Sequence, residues 1–107
     1  MIERIVMYKL KGEYCNDAAR AEFAERTRAE LSALQDVRSV TVGVPADEAS
    51  KASWDISIIV ELDSVDALRR YMTDPAHRAY VDQYASPRIE VRKAWNFSAV
   101  APGPRVC

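Results

Sequence analysis

The chain has 107 residues, of which 49% are hydrophobic and 29% charged, with a formal net charge of −1. This suits one small globular domain. Basic and acidic residues are mixed along it, which argues against the clustered basic face of a nucleic-acid groove and against binding to an acidic membrane surface.

MIERIVMYKLKGEY carries charges throughout and lacks the hydrophobic region of a signal peptide, so the expected compartment is the cytoplasm. Within it, residues 2–10 read as a strand. Ile2, Val6, Tyr8 and Leu10 share one face, interrupted by Arg4, and Ile5 and Met7 fall on the other. Asn16 or Asp17 can cap a helix running to about Leu34, with Phe23, Thr27, Leu31 and Leu34 at helical spacing. Arg20, Glu22, Glu25, Arg26 and Glu30 are expected on its wet surface. Residues 37–44 give a second strand with Val40, Val42 and Val44 on one face, and residues 45–53 read as a polar loop.

WDISIIVEL, residues 54–62, is the clearest strand, with Trp54, Ile56, Ile58, Val60 and Leu62 on one face. Its longest apolar run, at Ile58-Ile59-Val60, is far too short to span a bilayer. Asp63 or Ser64 can cap the next helix, which carries Val65, Leu68, Tyr71 and Met72 inward. Pro75 ends it or starts another that runs to about Ser86. Residues 89–97 form a last strand with Ile89, Val91, Trp95 and Phe97 on one face. Residues 98–107 are expected to be a loose tail.

The order β-α-β-β-α-β predicts an α+β, ferredoxin-like domain over residues 1–97: four antiparallel strands with helices on one face. Two helical segments cover only one face of such a sheet. The apolar residues of the other, Ile5, Met7 and Ile59, imply a second sheet packed on it, most simply that of an identical subunit. Two sheets face to face would close into a barrel, whose interior is the expected ligand site.

The chemistry-bearing residues are few. Cys15 and Cys107 are the two cysteines; a cytosolic chain would keep both reduced, although a disulfide between them is conceivable. With no Cys-x-x-Cys and one histidine, neither a metal site nor a cofactor is expected. That histidine lies in YMTDPAHRAYVDQY, residues 71–84. If Pro75 opens a helix with Asp74 as N-cap, His77 falls in its first turn. The stripe His77, Tyr80, Val81, Tyr84 then faces inward. The positive helix N-terminus favours a neutral imidazole, suited to act as a general base, whereas Asp74 favours the protonated ring. Tyr71 faces inward from the preceding helix, placed to donate to an oxyanion or enolate. An inward histidine serves equally well as a core residue bonded to a backbone carbonyl, and an inward tyrosine as packing with a polar handle.

The opening MIERIVMYKLK, the VTVG of the second strand, DISIIVELDSVDALRRYMTDPAHRAYVD and the last strand together resemble the stress-responsive dimeric α/β-barrel (Dabb) family. The most specific piece is Tyr71-Met-Thr-Asp-Pro-Ala-His77, similar to the family's Y-x-x-[HD]-P-x-H segment. The resemblance implies a homodimer whose sheets form the barrel. One characterised plant relative, olivetolic acid cyclase, closes a linear polyketide by an intramolecular aldol condensation without metal or cofactor. By that resemblance His77 and Tyr71 are the catalytic base and its hydrogen-bonding partner. Arg4, Val6, Tyr8 and Tyr80 are expected to bind the substrate. Arg4 stands where the family usually has a histidine, and Arg26 near a tyrosine of the cyclase.

Three functions follow as expectations. The first is a cofactor-free cyclase or lyase acting on a polyketide-like or aromatic compound. The second is a non-catalytic barrel that binds a small hydrophobic or anionic molecule in a stress response. The third, weaker, is a haem- or oxygen-using barrel with His77 as axial ligand. The strands lack the aromatic and basic pattern of an RNA-binding sheet.

Overall fold

The alternation in IERIVMYKL builds the strand on which everything else is hung. In the computed structural model, which describes residues 1–100, this segment is β1 (Ile2–Leu10). It pairs antiparallel with β3 (Ile56–Leu62) on one side and β4 (Ile89–Ser98) on the other. A further strand, β2 (Val37–Gly43), extends the sheet beyond β3, giving the order β2-β3-β1-β4. This is the ferredoxin-like βαββαβ arrangement.

One face of the sheet carries the core. Ile2, Val6, Tyr8 and Leu10 of β1 are buried there beside Ile56, Ile58, Val60 and Leu62 of β3. Helix α1 (Asp17–Ser32) lays Phe23, Thr27 and Leu31 onto this face, and Leu34, just past its end, is buried with them. Asn16 caps α1 by accepting from the Ala19 N–H at 2.9 Å. Helix α3 (Val65–Thr73) is capped by Ser64 and buries Ala67 and Tyr71. Pro75 opens α4 (Pro75–Ala79), with Asp74 accepting from the Ala76 N–H at 2.8 Å. Beyond Ala79 the helix widens into a π turn over Tyr80–Ala85 and closes as a 3₁₀ turn over Ser86–Arg88. Such widened turns recur at functional sites.

Five local expectations are corrected. The segment 45–53 is not all loop: Asp47 accepts from the Ser50 N–H at 2.8 Å and starts a short helix, α2 (Glu48–Ser53). Trp54 is the C-cap of that helix rather than part of β3. Arg20 is buried, at 8% exposure, because it continues the Phe23–Thr27–Leu31 stripe one turn back and meets Asp55. Val65 is exposed, since it is the first residue after the Ser64 cap and the inward stripe begins at Ala67. Ile89 faces the core, away from Val91, Trp95 and Phe97. An irregularity in the ladder pairs Ile89 with Leu10 and Val91 with Lys9, reversing the alternation across Glu90.

The other face of the sheet is uncovered in the single chain. Ile59, Val91, Trp95 and Phe97 are exposed on it. No described helix is long and apolar enough to cross a membrane. The Ala99 N–H donates to the Met1 carbonyl at 2.9 Å, tying down the start of the segment expected to be loose. The rest of that segment, residues 101–107, and with it any Cys15–Cys107 pairing, lie outside the described residues.

Candidate functional site

Arg4, Val6 and Tyr8 project from β1 toward the helices, on the same face as Ile2 and Leu10. Tyr71 comes down from α3, His77 from the first turn of α4, and Tyr80 from the start of the π turn. All three are at most 5% exposed. The structure thus gathers the six residues singled out in the sequence on one side of the sheet. It is not the side expected. The inward direction of His77 leads into the layer between helices and sheet, not into a space between two sheets. Residues of even number on β1 face the helices, and α3 and α4 pack on that same face.

Within this layer the rings of Tyr71 and His77 are in contact, with centroids 4.3 Å apart. His77 Nδ1 is buried and has no hydrogen-bond partner. Burial, then the nearby Arg4 and Arg78 charges, lower the imidazole from 6.5 to about 4, against the opposing pull of the Met72 backbone and Asp74. The competition left open by the sequence is settled by desolvation. Nδ1 is thus a buried ring nitrogen whose hydrogen-bonding capacity no protein group uses.

The phenols around it are held protonated. Burial pushes Tyr71 well above the ordinary phenol range, with Arg4 pulling it partly back. Tyr8 is raised for the same reason, opposed by Arg92 and Arg4. Tyr80 is raised by burial too, although its hydroxyl is committed to Thr27 Oγ1 at 2.5 Å. Arg4 is half-buried and its guanidinium is held by Asn96 Oδ1 at 3.0 Å. Val6 forms the apolar floor between Arg4 and Tyr8. The arrangement therefore offers a neutral base, protonated hydroxyls and a fixed positive charge.

Sequence reasoning missed Asn96 and Thr27 as partners of Arg4 and Tyr80. It also missed the buried ion pair of Arg20 with Asp55, at 2.8 Å. Only the spacing of Arg20 from Phe23 signalled any of these. Arg26 lies over the ring of Tyr84, 4.6 Å from its centroid. Among the described residues no group of three or more His, Cys, Asp or Glu could hold a metal ion. A cavity of about 430 Å³ lies away from His77, between α2 and the end of the sheet, and is lined by Met7, Val44, Ala49, Trp54 and Ser57 among others.

A βαββαβ domain with helices on one face and an apolar sheet face left open is a ferredoxin-like α/β-barrel domain. The chain belongs to the Dabb family, the stress responsive A/B barrel domain, whose model matches residues 2–99. A Dabb family protein of ferredoxin-like fold from Mesorhizobium loti is similar, with 20% identity and a TM-score of 0.78 over 94% of this chain and 97% of its own. A dimeric ferredoxin-like protein of unknown function from Thermobifida fusca matches at 21% identity and TM-score 0.74, covering 92% and 90%. A hydroxynitrile lyase from Passiflora edulis matches at 12% identity and TM-score 0.75, covering 96% of each chain. At these identities the likeness is one of fold. No curated protein matches the sequence.

Proposed function

We propose that this chain is a cofactor-independent lyase or cyclase of aldol type, acting as a homodimer on a polyketide-like or aromatic compound in the layer between helices and sheet. The observation that carries this reading is the buried, unpartnered Nδ1 of His77. Burying a polar atom without a partner is costly, and native structures rarely tolerate it without a use. The hydroxynitrile lyase of the same fold and the cyclase-like Tyr71–His77 spacing support the same class of chemistry.

The mechanism follows from the protonation states. Neutral His77 takes a proton from a carbon flanked by two carbonyls, where the C–H is already acidic. Tyr71, held protonated, donates to the enolate oxygen as charge develops, and Arg4 adds a fixed positive charge nearby. The enolate carbon attacks a second carbonyl of the same substrate. A carbon–carbon bond forms, and the proton on His77 passes to the new alkoxide. The apolar surroundings fold the chain into a reactive geometry.

The test is deuterium exchange at C4, the carbon between the two ketones, of a 3,5-dioxo fatty acid in D2O, followed by proton NMR. The wild-type protein accelerates exchange, and His77→Gln abolishes the acceleration while the fold is retained. Equal exchange by the two proteins would remove His77 as the base. A second reading, a ligand-binding barrel without turnover, is favoured by the cavity beside Trp54, which none of the base, phenol and Arg4 groups lines. It predicts a bound apolar compound there and no acceleration of exchange.

A further inference from the structure

Along the helix-facing side of the sheet, β1 and β4 are joined rung by rung. Tyr8 lies opposite Arg92, Val6 opposite Ala94, and Arg4 opposite Asn96. Two arginines thus flank a rung built from a valine and an alanine. They stand four residues apart along the strands, about 13 Å, a span that two guanidinium side chains can close over from both ends. Ala94 and Arg92 are exposed, so no helix roofs this part of the face, whereas Tyr8 and Tyr71 beside it are buried. The result is an open stretch of the face with a floor of Val6 and Ala94 and a cation at each end, and with Tyr71 and His77 close enough to feel the Arg4 charge.

The charges in it are unbalanced. Most other described arginines meet carboxylates, as Arg20 meets Asp55, Arg38 meets Asp63 and Arg70 meets Asp36, while Arg88 donates to the Tyr84 carbonyl. Among the described residues neither Arg4 nor Arg92 has an acidic partner, and Arg4 is held by the neutral amide of Asn96. The Arg92 charge reaches into this part of the face: after burial it helps to lower the Arg4 pKa, and it opposes the rise of Tyr8. Two like charges flanking one open stretch favour an anion between them.

We propose that Arg4 and Arg92 form a carboxylate-recognition subsite, with Asn96 as a positioning residue for Arg4, so that the substrate presents a carboxylate over Ala94 and its reacting carbon toward His77. This deepens the reading of His77 as a base and rests on it only for what happens next to the carboxylate. Arg92 sets the exposed end of this stretch and reads the charge from solvent. Arg4, half-buried, fixes its inner end.

The experiment compares two aromatic probes of equal size, salicylate and its uncharged amide salicylamide. The reporter is the set of ring C–H signals of the single histidine, which needs no turnover. Salicylate is expected to shift these signals and to bind roughly tenfold or more tightly than salicylamide, the effect of one charge-assisted hydrogen bond. Arg92→Gln, an exposed substitution, is expected to remove that preference while leaving salicylamide binding unchanged, and Arg92→Lys to keep part of it. Equal affinity for the two probes, no shift with either, or an unaltered preference in Arg92→Gln overturns the proposal. If the anion preference is lost in Arg92→Gln while deuterium exchange survives in His77→Gln, the subsite stands and the base assignment fails.

Discussion

The ring of Tyr71 lies 4.3 Å from the ring of His77, centroid to centroid, inclined at 42°. The tyrosine therefore meets the imidazole by its ring, and covers it. Covering strips the ring of water, and desolvation is the leading cause of its lowered pKa. The segment 71–77 thus works as a unit: α3 ends, Asp74 and Pro75 turn the chain, and α4 returns His77 against Tyr71.

Because His77 is the only histidine, its ring signals can be followed without assignment. A proton NMR titration is expected to give a pKa of about 4, not 6.5. If His77 is the base, the exchange rate should rise as pH climbs through about 4 and then stay level through neutrality. A titration near 6.5 would mean that the ring is solvated.

The same shift links pH to stability. In the unfolded chain the ring binds a proton near pH 6.5, and in the folded chain only near pH 4. The contribution of this group is therefore complete above about 6.5 and is lost as pH falls toward 4. The full difference is roughly 3 kcal/mol. Urea unfolding of wild type and His77→Phe, compared from pH 7 to pH 4, isolates the effect from that of the carboxylates. The gap in stability should move in favour of the variant as pH falls; a constant gap would contradict it.

Thr27 and Tyr80 join α1 to the π turn through one buried hydroxyl–hydroxyl bond. Thr27→Val or Tyr80→Phe alone strands the partner's hydroxyl, at a cost of about 1–3 kcal/mol. The double variant should lose clearly less than the sum. A denaturant double-mutant cycle measures the coupling, and strict additivity would show that the bond contributes nothing.

Local periodicity carried most of the fold. The bounds of β1 follow directly from its alternation, and residue type narrowed two caps to a pair each, Asn16 or Asp17 and Asp63 or Ser64, of which the structure uses Asn16 and Ser64, and gave Asp74 outright. What was not legible depends on partners distant in sequence. Arg20 looked wet because arginine usually is, and its buried partner, Asp55, is 35 residues away. Ile89 was assigned by strict alternation, which a single irregularity at Glu90 reverses. For the site, helical spacing gave the inward direction of His77 but not the layer it enters. That required knowing that even-numbered residues of β1 face the helices. Asn96 and Arg92 join the site only through the β1–β4 register, which one sequence does not print.

Asp55 is the anchor of the sheet's far end. Its Oδ1 accepts from Arg20 Nε at 2.8 Å and its Oδ2 from the Leu10 N–H at 2.8 Å. Asp55→Ala leaves the buried Leu10 N–H without a partner and the buried Arg20 guanidinium with only the exposed carboxylate of Asp17, at 3.2 Å, and should cost about 3–5 kcal/mol. Arg20→Met with Asp55→Asn removes both charges while keeping an acceptor for Leu10. Its denaturation midpoint should lie above that of Asp55→Ala. If Asp55→Ala proves nearly neutral, the pair is solvated and the anchor does not exist.

The open sheet face shows how two copies can meet. Its middle rung is Ile59, Ile5 and Trp95; Phe97 lies on one side of it and Met7 on the other. Trp95 and Phe97 are 45% and 53% exposed in the single chain, a large apolar surface to leave in water. Charge is segregated along the strands: Glu3 lies opposite Glu61 at one end, with Lys9 and Lys93 toward the other. A two-fold axis crossing the strands sets the acidic end of one copy against the basic end of its partner. Wild-type protein is therefore expected to sediment as a dimer, and Trp95→Glu with Phe97→Glu as a monomer of unchanged helical content. Glu3→Lys with Glu61→Lys should weaken the dimer, and high salt should weaken the wild-type dimer in the same sense. If Trp95→Glu with Phe97→Glu still sedimented like wild type, the two copies would not meet through this face.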